Sequence, residues 1–395
     1  MKSAKLLVSS AIVATTTAMQ FQTLYSTYSF NPLEHLAGIA PYYEPADPPR
    51  DPKPPQGCTV TRAAYLVRHA AINANDFDFE EYLEPFLHKL GNATVDWSKI
   101  PQLAFLANWE APSFGEQELR YAADAGSKQQ STYIKTYTAP IIARLQSLAP
   151  GFNFTSDDVT AMQAMCGYDT VIRGSSPFCS TELFTPDEWL QFEYGQDIQY
   201  HYNTGYGSPY SGAIGFPWLN TTLDLLSASS SAQDLYVSFT HRELPPTVLV
   251  AMGLFNNSAF SGGNDVNATM PLDQINYNRA WISSRILPFL TNIAIERMNC
   301  TSNGGHATTE DKSSSSSSST TSTYYRVLLN QSPQVLPGCF DGPGQSCSAD
   351  GLKEFLRQRE SMFQGYSKVC GNSYDNSTDS ISFYTNSNNG TVVGK

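Results

Sequence analysis

Two histidines sit in the same kind of setting. His69 closes the apolar run "VTRAAYLVRH", and His241 closes "QDLYVSFTH". Each run is rich in β-branched and aromatic residues, as a strand requires, and each leads into a segment with helical character. In open α/β sheets, ligands bind at the carboxyl ends of strands, where the following helices point their N-termini. Two imidazoles at such ends can face one site although they lie far apart in sequence. Arg68 stands beside the first histidine, and Arg242 and Glu243 follow the second. A guanidinium and two helix N-termini would make the site favour an anion.

The elements that must position these groups follow from the pattern around them. "FDFEEYLEPFLHKL" has helical periodicity, with acids early and Lys89 late. "SDDVTAMQAM" opens with a Ser/Asp cap, and "TPDEWLQFEYGQDIQYHY" opens with Thr185 as N-cap and Pro186 in the first helical position. "GYGSPYSGAIGFP" reads as a Gly-rich loop. "LPPTVLVAMGLF" reads as a helix with prolines in its first turn, and "AWISSRILPFLTNIAIERM" as a further amphipathic helix. "YYRVLLNQSPQVLPGC" restores strand character. The division expected is a signal peptide at 1–18, a Pro-rich leader at 19–57 whose end, "EPADPPRDPKPPQG", is extended without a core of its own, so that structure begins near Cys58, then an α/β domain over 58–97 and 226–395 and a helical insertion at 98–225. The almost pure Ser/Thr run from Ser313 to Thr323 is expected to be a flexible surface loop.

The whole chain bounds the environment. Its 395 residues carry a net charge of −12, which argues against general binding to nucleic acid or anionic membranes but leaves a locally basic pocket open. Lys2, Lys5 and the short apolar stretch "LLVSSAIVATTTA" read as a secretory signal, and no later run is apolar enough for an integral membrane segment. A secreted, vacuolar or wall-associated protein is the expectation. In that setting the seven cysteines should form disulfides, with one left over. No Cys/His spacing suggests a metal site, and no phosphate-binding loop with Lys-Ser/Thr is present, so neither metal nor cofactor is expected. Asn92, Asn153, Asn220, Asn256, Asn267, Asn299, Asn330, Asn376 and Asn389 head sequons for glycosylation.

The motifs around both histidines carry a resemblance. "LVRHAAI" is similar to the R-H-G-x-R-x-P motif of the histidine acid phosphatases, the branch of the histidine phosphatase superfamily that includes fungal phytases. "YVSFTHRELPPTVLVAMGLFN" resembles the second block of that family, "DDVTAMQAMCGYDTVIRGSSPFCSTELFTPDEW" resembles its mid-chain cysteine stretch, and "VLPGC…SC" its C-terminal cysteine pair. The resemblance implies a phosphoglycerate mutase-like α/β fold, with a central mostly parallel sheet and a smaller helical domain inserted. It implies a secreted phosphomonoesterase acting on small organic phosphates, phytate among them, without metal. His69 would be the nucleophile that forms a phosphohistidine, Arg68 and His241 would hold the phosphoryl oxygens, and the backbone near Ala70 would hold the other ring nitrogen of His69. It also implies the pairs Cys58–Cys300, Cys166–Cys179 and Cys339–Cys347, leaving Cys370.

The chain departs from that family pattern in places that bear on activity. Ala70, Ile72 and Ala74 stand where the motif has Gly, Arg and Pro. Arg242-Glu243 stands where most of the family has an Asp that protonates the leaving group. Glu243 fills that role by analogy with the His-Ala-Glu of multiple inositol polyphosphate phosphatases, or is a carboxylate stabilised by a helix start. Arg242 is a further phosphate ligand replacing the charge lost at Ile72, or a surface ion-pair partner. A family segment with further phosphate-binding arginines is not recognisable between the first block and Asp157, where Pro112–Ile134 offers only Arg120. The alternative to an active enzyme is therefore a weakened or inactive pseudo-phosphatase that binds anionic ligands.

Overall fold

The computed structural model describes residues 30–43, 51–71, 74, 78–111, 125–229, 233–258, 265–302, 320–369, 371 and 381. Pro32–Lys395 form one compact unit. The expected signal peptide, the Pro-rich stretch 44–50, Ile72, Arg120, residues 313–319 of the Ser/Thr run, Cys370, Asn376 and Asn389 lie outside the described residues.

The sheet is built on β1 (Cys58–Arg68), the strand that ends before His69. Along it Arg62, Ala64, Leu66 and Arg68 are buried while the intervening side chains are half-buried, the alternation of a strand with one face on a core. β2 (Leu235–Thr240) pairs with β1 in parallel, with Arg68 opposite Thr240, so both strands end at the same edge. On its other side β1 meets β3 (Asn292–Ser302) in antiparallel register, and β3 meets β4 (Thr320–Leu329) the same way. β5 (Ser332–Gln334) and β6 (Cys347–Ser348) pair with β4, giving the order β2-β1-β3-β4-β5 with β6 off that path. The α/β class holds, but the sheet is mixed rather than mostly parallel: among the described strands only β1 and β2 run parallel.

Between β1 and β2 the described residues contain helices and loops only. α1 (Glu84–Gly91) continues a π-helical turn, Phe79–Leu83; α2 (Ala125–Leu148), α3 (Ser156–Arg173), α4 (Pro186–Asn203) and α5 (Ser211–Ser227) follow. α3 is capped by Thr155 rather than by the Ser/Asp pair after it: the Thr155 hydroxyl accepts from Asp158 N–H while the Asp158 carboxylate accepts from Thr155 N–H. Thr185 caps α4 through the same reciprocal box with Glu188, and Pro186 is its first residue. α6 (Leu244–Met252) follows β2, and α7 (Ala349–Phe363) follows β6.

Three sequence expectations give way here, each for a physical reason. The "GYGSPYSGAIGFP" run is a loop only as far as Tyr210; from Ser211 it is α5. A Cβ on Gly215 would come within 2.2 Å of the Thr247 carbonyl oxygen, so this glycine serves close packing of α5 on α6 rather than a turn. Phe216, Trp218, Leu219 and Leu223 of α5 join Leu66, Val248, Ile293 and Val327 in the main core, which ties α5 to the sheet rather than to the helical insertion. Next, "AWISSRILPFLTNIAIERM" is not one helix. A single turn, Ser283–Ile286, stops before Pro288, and Ile293 and Ile295 lie in β3 between two neighbouring strands, where their β-branched side chains pack on the core. Finally, the leader does contribute to the core. Leu36, Ala37 and Ala40 are fully buried, Ala37 N–H donates to Ser284 Oγ at 2.8 Å, and Gly38 lies so close to Tyr200 that a Cβ would meet its hydroxyl oxygen at 2.5 Å. Thr320–Thr323, the end of the Ser/Thr run, are part of β4.

The three disulfides are those the resemblance implies. Cys58–Cys300 clasps β1 to β3, Cys166–Cys179 ties α3 to the turn after it, and Cys339–Cys347 closes the turn before α7. Among the sequons, Asn92, Asn153 and Asn267 are exposed, and Asn220, Asn256 and Asn299 are half-buried. Asn330 corrects the sequence reading. It is 1% exposed, its Oδ1 accepts from Thr291 Oγ1 and from Asn292 N–H, and its Nδ2 donates to the Arg285 carbonyl, so the folded chain offers no amide for a glycan there.

Candidate active site

The parallel pairing of β1 and β2 brings the two strand ends together. His69 N–H donates to the Thr240 carbonyl at 3.0 Å, and the rings of His69 and His241 lie edge to face with centroids 5.3 Å apart. Two histidines 172 positions apart in the chain therefore share one edge of the sheet, as their matched settings predict.

His69 is oriented by its own neighbour. Nδ1 lies 2.8 Å from the Ala70 carbonyl oxygen. A carbonyl can only accept, so Nδ1 carries the proton and donates it, and Nε2 of the neutral ring is left with its lone pair. Burial holds the His69 pKa below the ordinary value; the bond to Ala70 pulls the other way, and Arg68 and His241 lower it further. The ring thus stays neutral to a lower pH than a free histidine.

Arg68 is 1% exposed. Its Nη1 donates to the Leu287 carbonyl, its guanidinium carbon lies 4.7 Å above the centre of the Phe289 ring, and its Nε has no hydrogen-bond partner among the described residues. Burial lowers its pKa to about 10, so it remains a cation throughout the neutral and acidic range. Among the described residues it makes no ion pair.

Arg242 is placed by two carboxylates. Its Nε donates to Glu243 Oε1 at 2.9 Å and its Nη1 lies 3.7 Å from Asp78 Oδ2. It also lies over the Tyr200 ring, 6.0 Å from the centroid. Glu243 occupies the N-cap position of α6 without a side-chain capping bond, so its carboxyl lies at the positive end of the helix and against Arg242. Asp78 also accepts from the Tyr168 hydroxyl at 2.7 Å. The arrangement joins a neutral imidazole with a free lone pair to two guanidiniums, a second imidazole and one carboxyl group at a helix start.

Four residues of this neighbourhood carry no sequence signal of their own: Tyr168, Tyr200, Leu287 and Phe289. Asp78 had a weak one, as the first acid of the helical segment after the His69 strand. The structure assembles Arg68, His69, His241, Arg242 and Glu243, while Ile72 lies outside the described residues.

The sequence profile of the histidine phosphatase superfamily (branch 2) matches residues 105–330, more than half of the chain. The chain belongs to the histidine phosphatase superfamily. The matched range includes His241, Arg242 and Glu243 and begins after His69. Among similar curated proteins, a phytase of Candida albicans, PHO112, is 28% identical over 248 residues, covering 63% of this chain and 47% of the relative. Acid phosphatase PHO1 of Komagataella pastoris is 31% identical over 233 residues, covering 58% and 43%. The chain spans about half the length of the curated relatives it matches. The crystal structure of the phytase from D. castellii has the same fold, with a TM-score of 0.74 at 19% identity, over 92% of this chain and 93% of that one. Among the described residues no helix is long and apolar enough to cross a membrane.

Proposed function

We propose that this histidine phosphatase superfamily member is a secreted acid phosphomonoesterase that hydrolyses small organic phosphate monoesters through a phosphohistidine. The carrying observation is the His69 ring, fixed by the Ala70 carbonyl with Nε2 unprotonated, beside the buried cation of Arg68. Nε2 attacks phosphorus, the N–P bond forms, and the P–O bond to the alcohol breaks. Arg68, His241 and Arg242 neutralise the phosphoryl oxygens as charge develops on them. Glu243, protonated, gives its proton to the departing oxygen. Its carboxylate then takes a proton from water, the hydroxide attacks phosphorus, the N–P bond breaks, and inorganic phosphate leaves with His69 neutral again.

Arg242 supports the role of a replacement cation: it lies next to His241, and Asp78 and Glu243 fix its guanidinium. Three disulfides and exposed sequons at Asn92, Asn153 and Asn267 favour an extracellular, vacuolar or wall location. The second reading, a pseudo-phosphatase that binds anions with little turnover, is favoured by two observations: Ile72 in place of the motif arginine, and no recognisable counterpart of the arginine-bearing segment before Asp157. Hydrolysis of an aryl phosphate at acidic pH by the wild type and by His69→Ala separates the two. A wild-type rate far above that of His69→Ala supports the enzyme; equal rates support the pseudo-phosphatase.

A further inference from the structure

The loop between the short helix Ser283–Ile286 and β3 supplies no group to the proposed reaction, yet it encloses Arg68 and His69. The Leu287 carbonyl accepts from Arg68 Nη1. Arg68 N–H donates to the Thr291 carbonyl at 2.9 Å, and Leu290 N–H donates to the His69 carbonyl at 3.1 Å. Phe289, 2% exposed, presents its ring face to the Arg68 guanidinium at 4.7 Å and lies 6.3 Å from the His69 ring.

The loop is itself anchored. Phe289 N–H donates to the Ala40 carbonyl at 2.9 Å, which fastens it to the buried N-terminal segment. Thr291 Oγ1 donates toward the Ile286 carbonyl at 2.8 Å and Asn330 Oδ1 at 2.7 Å, each within reach of the one hydroxyl. Leu290 takes a φ of +60°, a left-handed conformation a leucine adopts at a cost, so the surroundings hold the loop in one shape.

A buried guanidinium without a carboxylate partner is costly, and a π face is one of the few supports that stabilises it without neutralising it. A carboxylate in that place would compete with a phosphoryl group for the same charge. We propose that Phe289 is a positioning residue for Arg68: its ring fixes the plane of the guanidinium and leaves the charge available to a phosphate dianion. This inference rests on the phosphatase reading above.

The test compares Phe289→Tyr, Phe289→Trp, Phe289→Leu and Phe289→Met in the full chain. Calorimetric binding of inorganic phosphate is read beside kcat and KM for an aryl phosphate and thermal melting. The aromatic variants should bind phosphate within about threefold of wild type. The Leu and Met variants, which keep apolar bulk and lose the π face, should bind it about tenfold more weakly, because the plane of the guanidinium is no longer fixed for the phosphate. Phosphate binding by Leu or Met variants equal to that of the aromatic ones overturns the proposal. In arginine-labelled wild type, the Arg68 Nε–H resonance, assigned with Arg68→Lys, should be shifted upfield by the ring current; an unshifted resonance overturns it without any Phe289 variant having to fold. A wild type no faster than His69→Ala overturns the phosphatase reading instead, and the phosphate affinities still decide the role of Phe289.

Discussion

His69 Nδ1 donates to the carbonyl of Ala70, the next residue in the chain, at 2.8 Å. The bond needs no distant partner, so the tautomer is set by local backbone geometry at the end of β1. Because burial holds the His69 pKa below the ordinary value, the neutral nucleophilic ring persists as pH falls below about 6.5. The acid limb of kcat/KM is therefore expected below pH 6.5, and His69→Ala should reduce the rate to background. A pH–rate profile with its acid limb above 6.5 would mean that the bond to Ala70 outweighs burial.

Glu243 carries a separable expectation. If it protonates the leaving group, Glu243→Gln should slow hydrolysis of an alkyl phosphate by about 10²–10⁴-fold, the usual worth of a general acid. With an aryl phosphate, whose leaving group needs little protonation, the phosphorylation step should slow much less, while dephosphorylation, which uses the same carboxylate as base, slows for both esters. Rapid-quench experiments with labelled aryl phosphate should then show the phosphohistidine accumulating on His69. An equal loss in the phosphorylation rate of both esters, with no accumulation of phosphohistidine, would reduce Glu243 to an orienting partner of Arg242.

The strand–histidine units were legible because strand ends and helix starts are written in short local patterns, and the parallel pairing of β1 with β2 is what a crossover through helices produces. The support around them was not. Phe289 follows Pro288 in a segment whose apolar spacing fits a helix as well as a loop and a strand, and only the sandwiching of Ile293 and Ile295 between β1 and β4 decides it. Tyr200 reaches Arg242 from the last turn of α4, a tertiary contact with no local trace. Gly212 and Gly215 read as loop residues because their function, closeness to Phe363 and to α6, belongs to packing rather than to the backbone. Asn330 heads a formally good sequon, yet burial makes it a structural amide.

That burial is testable. Asn330→Ala removes the acceptor for Thr291 Oγ1 and Asn292 N–H and the donor to Arg285, and should destabilise the chain by about 2–3 kcal/mol. Mass spectrometry of glycopeptides should find no glycan at Asn330. A fully occupied Asn330 in folded protein would contradict its placement.

The disulfides should differ in worth. Cys58–Cys300 closes a separation of 242 residues and Cys166–Cys179 one of 13. On loop-closure entropy alone, removing the first by paired Cys→Ala substitution should cost about 5 kcal/mol and removing the second about 3 kcal/mol. Denaturant unfolding of the two double variants gives the order. A larger loss for Cys166→Ala/Cys179→Ala would mean that native packing around α3, rather than chain entropy, dominates.

His201 gives the fold a specific weakness in acid. It is 1% exposed in α4, neither ring nitrogen has a hydrogen-bond partner among the described residues, and burial lowers its pKa from 6.5 to about 4. The unfolded chain therefore takes up this proton near pH 6.5 while the folded chain resists it. The stability due to the neutral ring is present above pH 6.5 and is lost as pH falls toward 4. The full loss is on the order of 3 kcal/mol. Asp197 works in the opposite sense: burial raises its pKa to about 6, so its contribution grows as pH falls, and total stability hides both terms. The difference between variant and wild type isolates His201. His201→Phe, with the ring still against Trp281, should narrow the stability gap between pH 7 and pH 4.5 by about 2 kcal/mol, measured by urea unfolding at both values. An unchanged gap would mean that the His201 ring finds a proton acceptor or water that satisfies its charge.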